Sequence, residues 1–341
     1  MTSPRQHDRV TRWDDHAVEV GDWALTSGGR LRSGRLHYRT TGTRRVDSGG
    51  RTTNAALLLH GTVGTGLQFQ QDSFAGAMFG PSQPLDLDDW FVIAPDALGH
   101  GHSAKPSDGL RASFPAYGYL DMVHGQRLVV ADAGVQRLRL VLGTSMGGMQ
   151  TWLWGGLHPC QMDALVTVAC EPAPITGRNL LWRRLITQAI RNDPAWAGGA
   201  YATQPTGFRS VWPVFDLMTG SPDSFASLDS VDAVKRHLTA VADSAADATD
   251  MLYALEASFD YDPRPGLPRI IAPLLAVSFA SDELNPEPVS TIDTVISSLP
   301  AATHLHLTAD QAPAGHRSLA DGRLYAAQLA AFLGALPGPG S

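Results

Sequence analysis

Three side chains lying far apart in this chain have the types that nucleophilic acyl transfer needs: Ser145, Asp282 and His316. Ser145 lies in Leu140-Val141-Leu142-Gly143-Thr144-Ser145-Met146-Gly147-Gly148-Met149-Gln150, where an apolar run passes through G-x-S-x-G into a helical pattern marked by Trp152, Leu153 and Leu157. Strand, tight turn and helix in that order form a nucleophile elbow, which lifts a serine hydroxyl above the edge of a sheet. A serine hydroxyl attacks a carbonyl only when a base takes its proton, and the base needs a carboxylate to fix its tautomer. Downstream, the apolar run Leu274 to Phe279 is followed at once by Asp282. The alternating run Thr303 to Leu307 is followed by a loop and by Gly315-His316-Arg317. A carboxylate after one late strand and a histidine after the next are the expected acid and base. Glu283, Asp260 and Asp310 compete for the acid but follow a strand end less directly, or point elsewhere. His304 and His306 alternate within a strand and are expected to face sheet or solvent.

The tetrahedral intermediate of such a reaction carries an oxyanion that needs backbone donors. The strand pattern Ala55 to His60 leads into Gly61-Thr62-Val63-Gly64, and the amides expected to serve are those of Thr62, with Val63 as the alternative, and of Met146 after the serine. A phosphate-binding reading of this loop is disfavoured, since no Gly-Lys-Ser/Thr follows. A further strand, Trp90 to Pro95, enters Asp96-Ala97-Leu98-Gly99-His100-Gly101-His102-Ser103. His100 and His102 have no further ligand at metal spacing, so hydrogen bonding within a turn is expected of them and no metal site. No cofactor is expected either.

Strands and crossover helices alternate from about Trp23 to Ala169, the signature of an α/β protein with a mostly parallel, doubly wound sheet. Residues 15–172 read as the first part of one core and 259–335 as its second part, carrying the acid and the histidine. Residues 173–258, opened by Glu171-Pro172-Ala173-Pro174, read as an inserted helical lid without strands. Residues 1–14 read as a polar extension and 337–341 as a disordered tail. Within the lid and beside it, Trp182, Arg183, Val63 and Arg317 are the candidates for contacting substrate, although a solvated helix face is the ordinary place for Arg183 and Arg184. With 341 residues, 43% of them hydrophobic, the chain can bury a large core. Its 26 basic and 33 acidic residues leave a net charge of −7 with no basic cluster, which argues against nucleic acid as partner. No run approaches a membrane span, and the amino terminus has no apolar stretch of a signal peptide, so a cytoplasmic enzyme is expected. Cys160 and Cys170 read as two buried small hydrophobes.

Taken together, these residues resemble the α/β-hydrolase superfamily, and more narrowly its homoserine O-acetyltransferase-like branch. The resemblance rests on the Leu31 to Gly42 strand pattern, on the elbow with Met146-Gly147-Gly148-Met149-Gln150, and on Ala189-Ile190-Arg191-Asn192-Asp193-Pro194-Ala195-Trp196 in the lid. It implies the α/β-hydrolase fold, and it points to a homodimer joined through the lids, with oligomeric state otherwise open. Two places depart from the branch. The segment after Phe91 to Ala94 is of the hydrolase kind. Arg317 also occupies the place where the acetyltransferases usually carry an aspartate that holds a substrate amino group, and this favours an anionic or neutral ligand.

The expected activity is that of a serine hydrolase acting on a carboxylic ester or related small acyl substrate through an acyl-enzyme. The alternative is an O-acyltransferase that draws on acetyl-CoA and passes the acyl group to an alcohol. A third reading, a non-catalytic ligand receptor on the same scaffold, conflicts with an intact triad.

Overall fold

The computed structural model describes residues 12–338 apart from 245, 288 and 289, so most of the expected extension and part of the expected tail lie outside the described residues. Among the described residues ten strands follow in chain order: β1 (Asp14–Val20), β2 (Trp23–Ala24), β3 (Arg30–Leu31), β4 (Gly34–Gly42), β5 (Ala55–Leu59), β6 (Phe91–Pro95), β7 (Leu140–Thr144), β8 (Leu165–Val168), β9 (Leu274–Phe279) and β10 (Ala302–Leu307). Eight of them form one sheet in the order β1-β4-β6-β5-β7-β8-β9-β10, while β2 and β3 make a separate two-stranded ribbon. From β6 to β10 every neighbouring pair is parallel; β1 and β4 run antiparallel at one edge. The single strand expected from Leu31 is thus broken, because Arg32 and Ser33 turn outward in a bend before Gly34.

Helices α1 (Asp72–Met78), α2 (Tyr119–Asp132) and α3 (Met146–Leu157) belong to the first half of the core, and α9 (Ile292–Ser298) and α10 (Ala326–Gly334) to the second. The fully buried run of β5 reflects helices on both faces of a parallel sheet. Its alternation assigns the faces: Leu57 and Leu59 join one apolar cluster with α2 and α3, and Ala56 and Leu58 join the other with α1 and α10. Every residue of α3 except Leu157 is buried, as expected of a helix that is apolar on all sides.

Between β8 and β9 the chain forms α4 (Gly177–Asn192), α5 (Thr206–Val211), α6 (Pro213–Thr219), α7 (Val231–Asp243) and α8 (Ala248–Glu256). These helices share an apolar cluster of their own, built on Trp182, Ile186, Ile190, Phe208 and Trp212, that reaches the main core beside Leu284. Cys170 is buried, but Cys160 is exposed, contrary to expectation, because it falls in the turn after α3 rather than on a strand. Among the described residues no helix is long and apolar enough to cross a membrane.

Candidate active site

The register of the sheet decides which loops meet. Strand β5 pairs in parallel with β7, Leu59 opposite Gly143, so the loop beginning at Gly61 emerges beside Ser145. Strand β6 lies on the far side of β5, which makes the β5/β7 junction the point where the winding of the sheet reverses. Crevices at the carboxyl ends of strands at such a junction are where open α/β sheets bind ligands.

Ser145 occupies the turn between β7 and α3 with φ 51° and ψ −114°, a region that non-glycine residues rarely enter. Two close approaches hold it there. A Cβ on Gly143 would lie 2.0 Å from the Gly147 carbonyl oxygen, and one on Gly147 would lie 2.0 Å from that of Leu59. The Ser145 N–H donates to the Val168 carbonyl at 2.8 Å, tying the turn to β8.

The Ser145 Oγ lies 2.8 Å from His316 Nε2, and His316 Nδ1 lies 2.8 Å from Asp282 Oδ2. All three residues are buried. The parallel pairing of β9 with β10, Leu307 opposite Phe279, brings the loops after the two strands together and so joins acid to base. Asp282 is held in turn: its Oδ1 accepts from the Leu284 N–H at 2.9 Å, and its Oδ2 accepts from Asn285 Nδ2 at 2.9 Å. The competing Glu283 pairs instead with Arg178 on α4. His304 and His306 both contact the Ser278 hydroxyl at 2.7 Å, on the outer strand and away from Ser145.

Met146 is the first residue of α3, where the helix itself leaves the N–H without a partner. Thr62 lines the cavity above Ser145, and among the described residues its N–H has no protein acceptor. The loop that carries Thr62 is fixed from several sides. The Gly61 N–H donates to Gln68 Oε1 at 3.0 Å, and Gln68 Nε2 donates to Thr144 Oγ1 at 2.8 Å. His100 Nε2 contacts the Thr62 carbonyl at 2.9 Å. Asp96 accepts from the Gly66 N–H at 2.8 Å and the His102 N–H at 3.0 Å. Burial opposes ionisation of Asp96, but these bonds and one with His37 outweigh it and hold the carboxyl below the usual carboxylate range. The D-x-x-G-H-G-x-S segment is therefore a brace for the loop after β5. His60 belongs to that brace as well: its Nε2 accepts the Ala97 N–H at 3.0 Å, and burial lowers its pKa to about 4. With its lone pair engaged, it has nothing left to offer a reacting hydroxyl. Among the described residues no group of three or more His, Cys, Asp or Glu side chains is arranged to hold a metal ion.

Above Ser145 lies a cavity of about 490 Å³. Trp182, Phe215, Leu284 and Leu319 give it apolar walls, and Val63, half exposed, stands on its rim. Both expected arginines border it, with different surroundings. The Arg317 guanidinium donates to Asp216 Oδ1 at 2.5 Å and to the Asp216 carbonyl at 2.7 Å, so its charge is offset by α6. Arg183 is buried rather than solvated, because Trp182, Ile186 and Ile190 turn that side of α4 inward; Arg184, one position on, is exposed over Phe259. Gln68, Asn285 and Asp216, each of which positions a part of this site, were not legible as such. Single glutamine, asparagine and aspartate residues, whether in a loop or on a helix, carry no spacing signal.

The α/β hydrolase fold family matches this chain over residues 55–292. Homoserine O-acetyltransferase of Geobacter sulfurreducens is 30% identical over 303 residues, which cover 75% of this chain and 81% of that protein. The crystal structure of homoserine O-acetyltransferase from Bacillus anthracis is similar at a TM-score of 0.82 and 19% identity, covering 95% of this chain and 98% of the other. An acetylester hydrolase from Corynebacterium glutamicum is similar at a TM-score of 0.80 and 22% identity, covering 94% and 96%. At these identities the two solved structures bear on the fold alone.

Proposed function

We infer, because this chain belongs to the α/β-hydrolase fold family and to its homoserine O-acetyltransferase-like branch, that it transfers an acyl group through Ser145 to a hydroxyl-bearing acceptor. The observation that carries this reading is the unbroken path of two 2.8 Å contacts from the Ser145 hydroxyl through His316 to Asp282, at the floor of a cavity. His316 Nε2 takes the serine proton as Oγ bonds to the acyl carbon; Asp282 holds the Nδ1–H tautomer and stabilises the imidazolium. The Thr62 and Met146 amides donate to the oxyanion. On collapse the leaving group takes the proton from His316 and departs, leaving the acyl group esterified to Ser145. An acceptor hydroxyl then gives its proton to His316 and bonds to the acyl carbon, and the Ser145 oxygen departs with the proton that His316 returns to it.

The acyltransferase alternative is better supported by the relatives than hydrolysis is. Water as the acceptor remains the second reading. The observation that favours it is Arg317, tied to Asp216 beside His316 where a carboxylate would grip an amino-acid acceptor. Turnover of acetyl-CoA and of p-nitrophenyl acetate, each with and without hydroxyl acceptors, separates the two. A transferase consumes acetyl-CoA at a rate set by the acceptor. If consumption is equally fast without any acceptor, hydrolysis is the reaction. Ser145→Ala should lower turnover by about 10⁴-fold or more. A ligand receptor would keep its binding response in that variant.

A further inference from the structure

Arg183 is only 1% exposed, yet it borders the cavity above Ser145. Its Nε donates to Asn179 Oδ1 at 3.0 Å and its Nη1 to Ser258 Oγ at 3.2 Å, while the guanidinium stacks on Trp182 at 4.7 Å. Both hydrogen-bond acceptors are neutral. Among the described residues no carboxylate pairs with it, although a buried cation without a counter-charge is costly. The cavity wall contains no Asp or Glu at all, and its other arginine, Arg317, is already neutralised by Asp216. Two hydroxyls lie beside Arg183. Thr62 Oγ1, on the cavity wall, is buried without a protein hydrogen bond of good geometry, and Tyr119 OH, buried behind the wall, lies beside both Thr62 and Arg183. Buried polar atoms are nearly always satisfied, so an uncompensated guanidinium and an unpartnered hydroxyl on one cavity wall point to a ligand that completes them.

We propose that Arg183 and the Thr62 hydroxyl, with Tyr119 positioning Arg183 from behind, form a subsite for a carboxylate, on a substrate that carries no ammonium group. The proposal rests on the acyl-transfer reading and adds the class of substrate to it. The missing ammonium follows from the wall: nothing anionic faces the cavity, and Arg317 lies beside the base. The carboxylate belongs either to the acyl group or to the acceptor, and the two sources are separable.

Two arms are measured on the wild-type enzyme and on Arg183→Met. In the first, the p-nitrophenyl monoester of glutarate is compared with p-nitrophenyl hexanoate. In the second, with p-nitrophenyl acetate as donor, γ-hydroxybutyrate is compared as acceptor with pentanol and with homoserine, its amino derivative. In one arm the wild type should favour the anionic member by about tenfold or more in kcat/KM, and Arg183→Met should remove that preference through KM. γ-Hydroxybutyrate should also outperform homoserine. Arg183→Lys, which keeps the charge without the fork, should restore part of the preference, and Tyr119→Phe should weaken it several-fold. These two variants also serve if Arg183→Met does not fold. No anion preference in either arm, a preference that survives Arg183→Met, or homoserine as the better acceptor overturns the proposal. Fluorophosphonate labelling of wild-type Ser145 separates the failures. A labelled enzyme without anion preference overturns the subsite alone, whereas an unlabelled one overturns the acyl-transfer reading beneath it.

Discussion

At Ser145 the backbone holds a conformation that costs a non-glycine residue about 1–3 kcal/mol, and it persists because the strand before and the helix after leave it no alternative. The serine was legible in the sequence from its glycine neighbours, and Asp282 and His316 from their places after two late strands. Arg183 was legible as a candidate but not as a buried one: Arg183 and Arg184 are the same residue type one step apart, and only packing decides which turns inward. His60 supplies a test at the same scale. Folded, it stays neutral down to about pH 4, whereas unfolded it takes a proton near its ordinary 6.5. The unfolded chain therefore binds more protons between these values, and stability contributed by neutral His60 is lost as pH falls from 6.5 toward 4, by up to about 1.4 kcal/mol per pH unit. His60→Gln, which retains an acceptor for Ala97, should show a shallower fall in thermal midpoint across that window; an unchanged slope would show that other groups govern the acid limb.

Strands and helices of the core were legible because their patterns are local. The five apolar residues of β5 and the helix of Met149, Trp152 and Leu153 follow from side-chain periodicity before any tertiary contact is known. The break before Gly34 was not, since a two-residue bend interrupts no apolar pattern. The elbow depends on β7 and α3 approaching closely, and this gives a second test. A methyl group at Gly147 meets the backbone oxygen of Leu59, which belongs to a central strand and cannot swing aside. Gly147→Ala should destabilise the protein by about 3 kcal/mol or more in denaturant titration. A loss below 1 kcal/mol would mean that α3 can shift without penalty.

Across the whole molecule, the five inserted helices are tied to the catalytic loop at one end. Ser221 donates to the Pro313 carbonyl, and Arg317 reaches Asp216 and Thr219, one residue from His316. Asp216 also contacts His237 on α7 at 2.8 Å, so a chain of polar contacts joins two lid helices to Arg317, the residue after the base. A double-mutant cycle on Arg317→Met and Asp216→Asn should give a coupling of about 1 kcal/mol, modest because Arg317 is partly exposed. Each single variant should lower kcat several-fold by loosening His316, and additivity within error in both readouts would show the lid to be energetically separate. By itself the sequence determined the kind of chemistry and the core that carries it, because a nucleophile elbow and buried parallel strands are encoded in contiguous residues. Only the tertiary structure decided the electrical character of the cavity. Whether a charged side chain acts on a ligand depends on what else lies within a few ångströms, and Asp216, distant in sequence, cancels Arg317, while among the described residues no carboxylate pairs with Arg183.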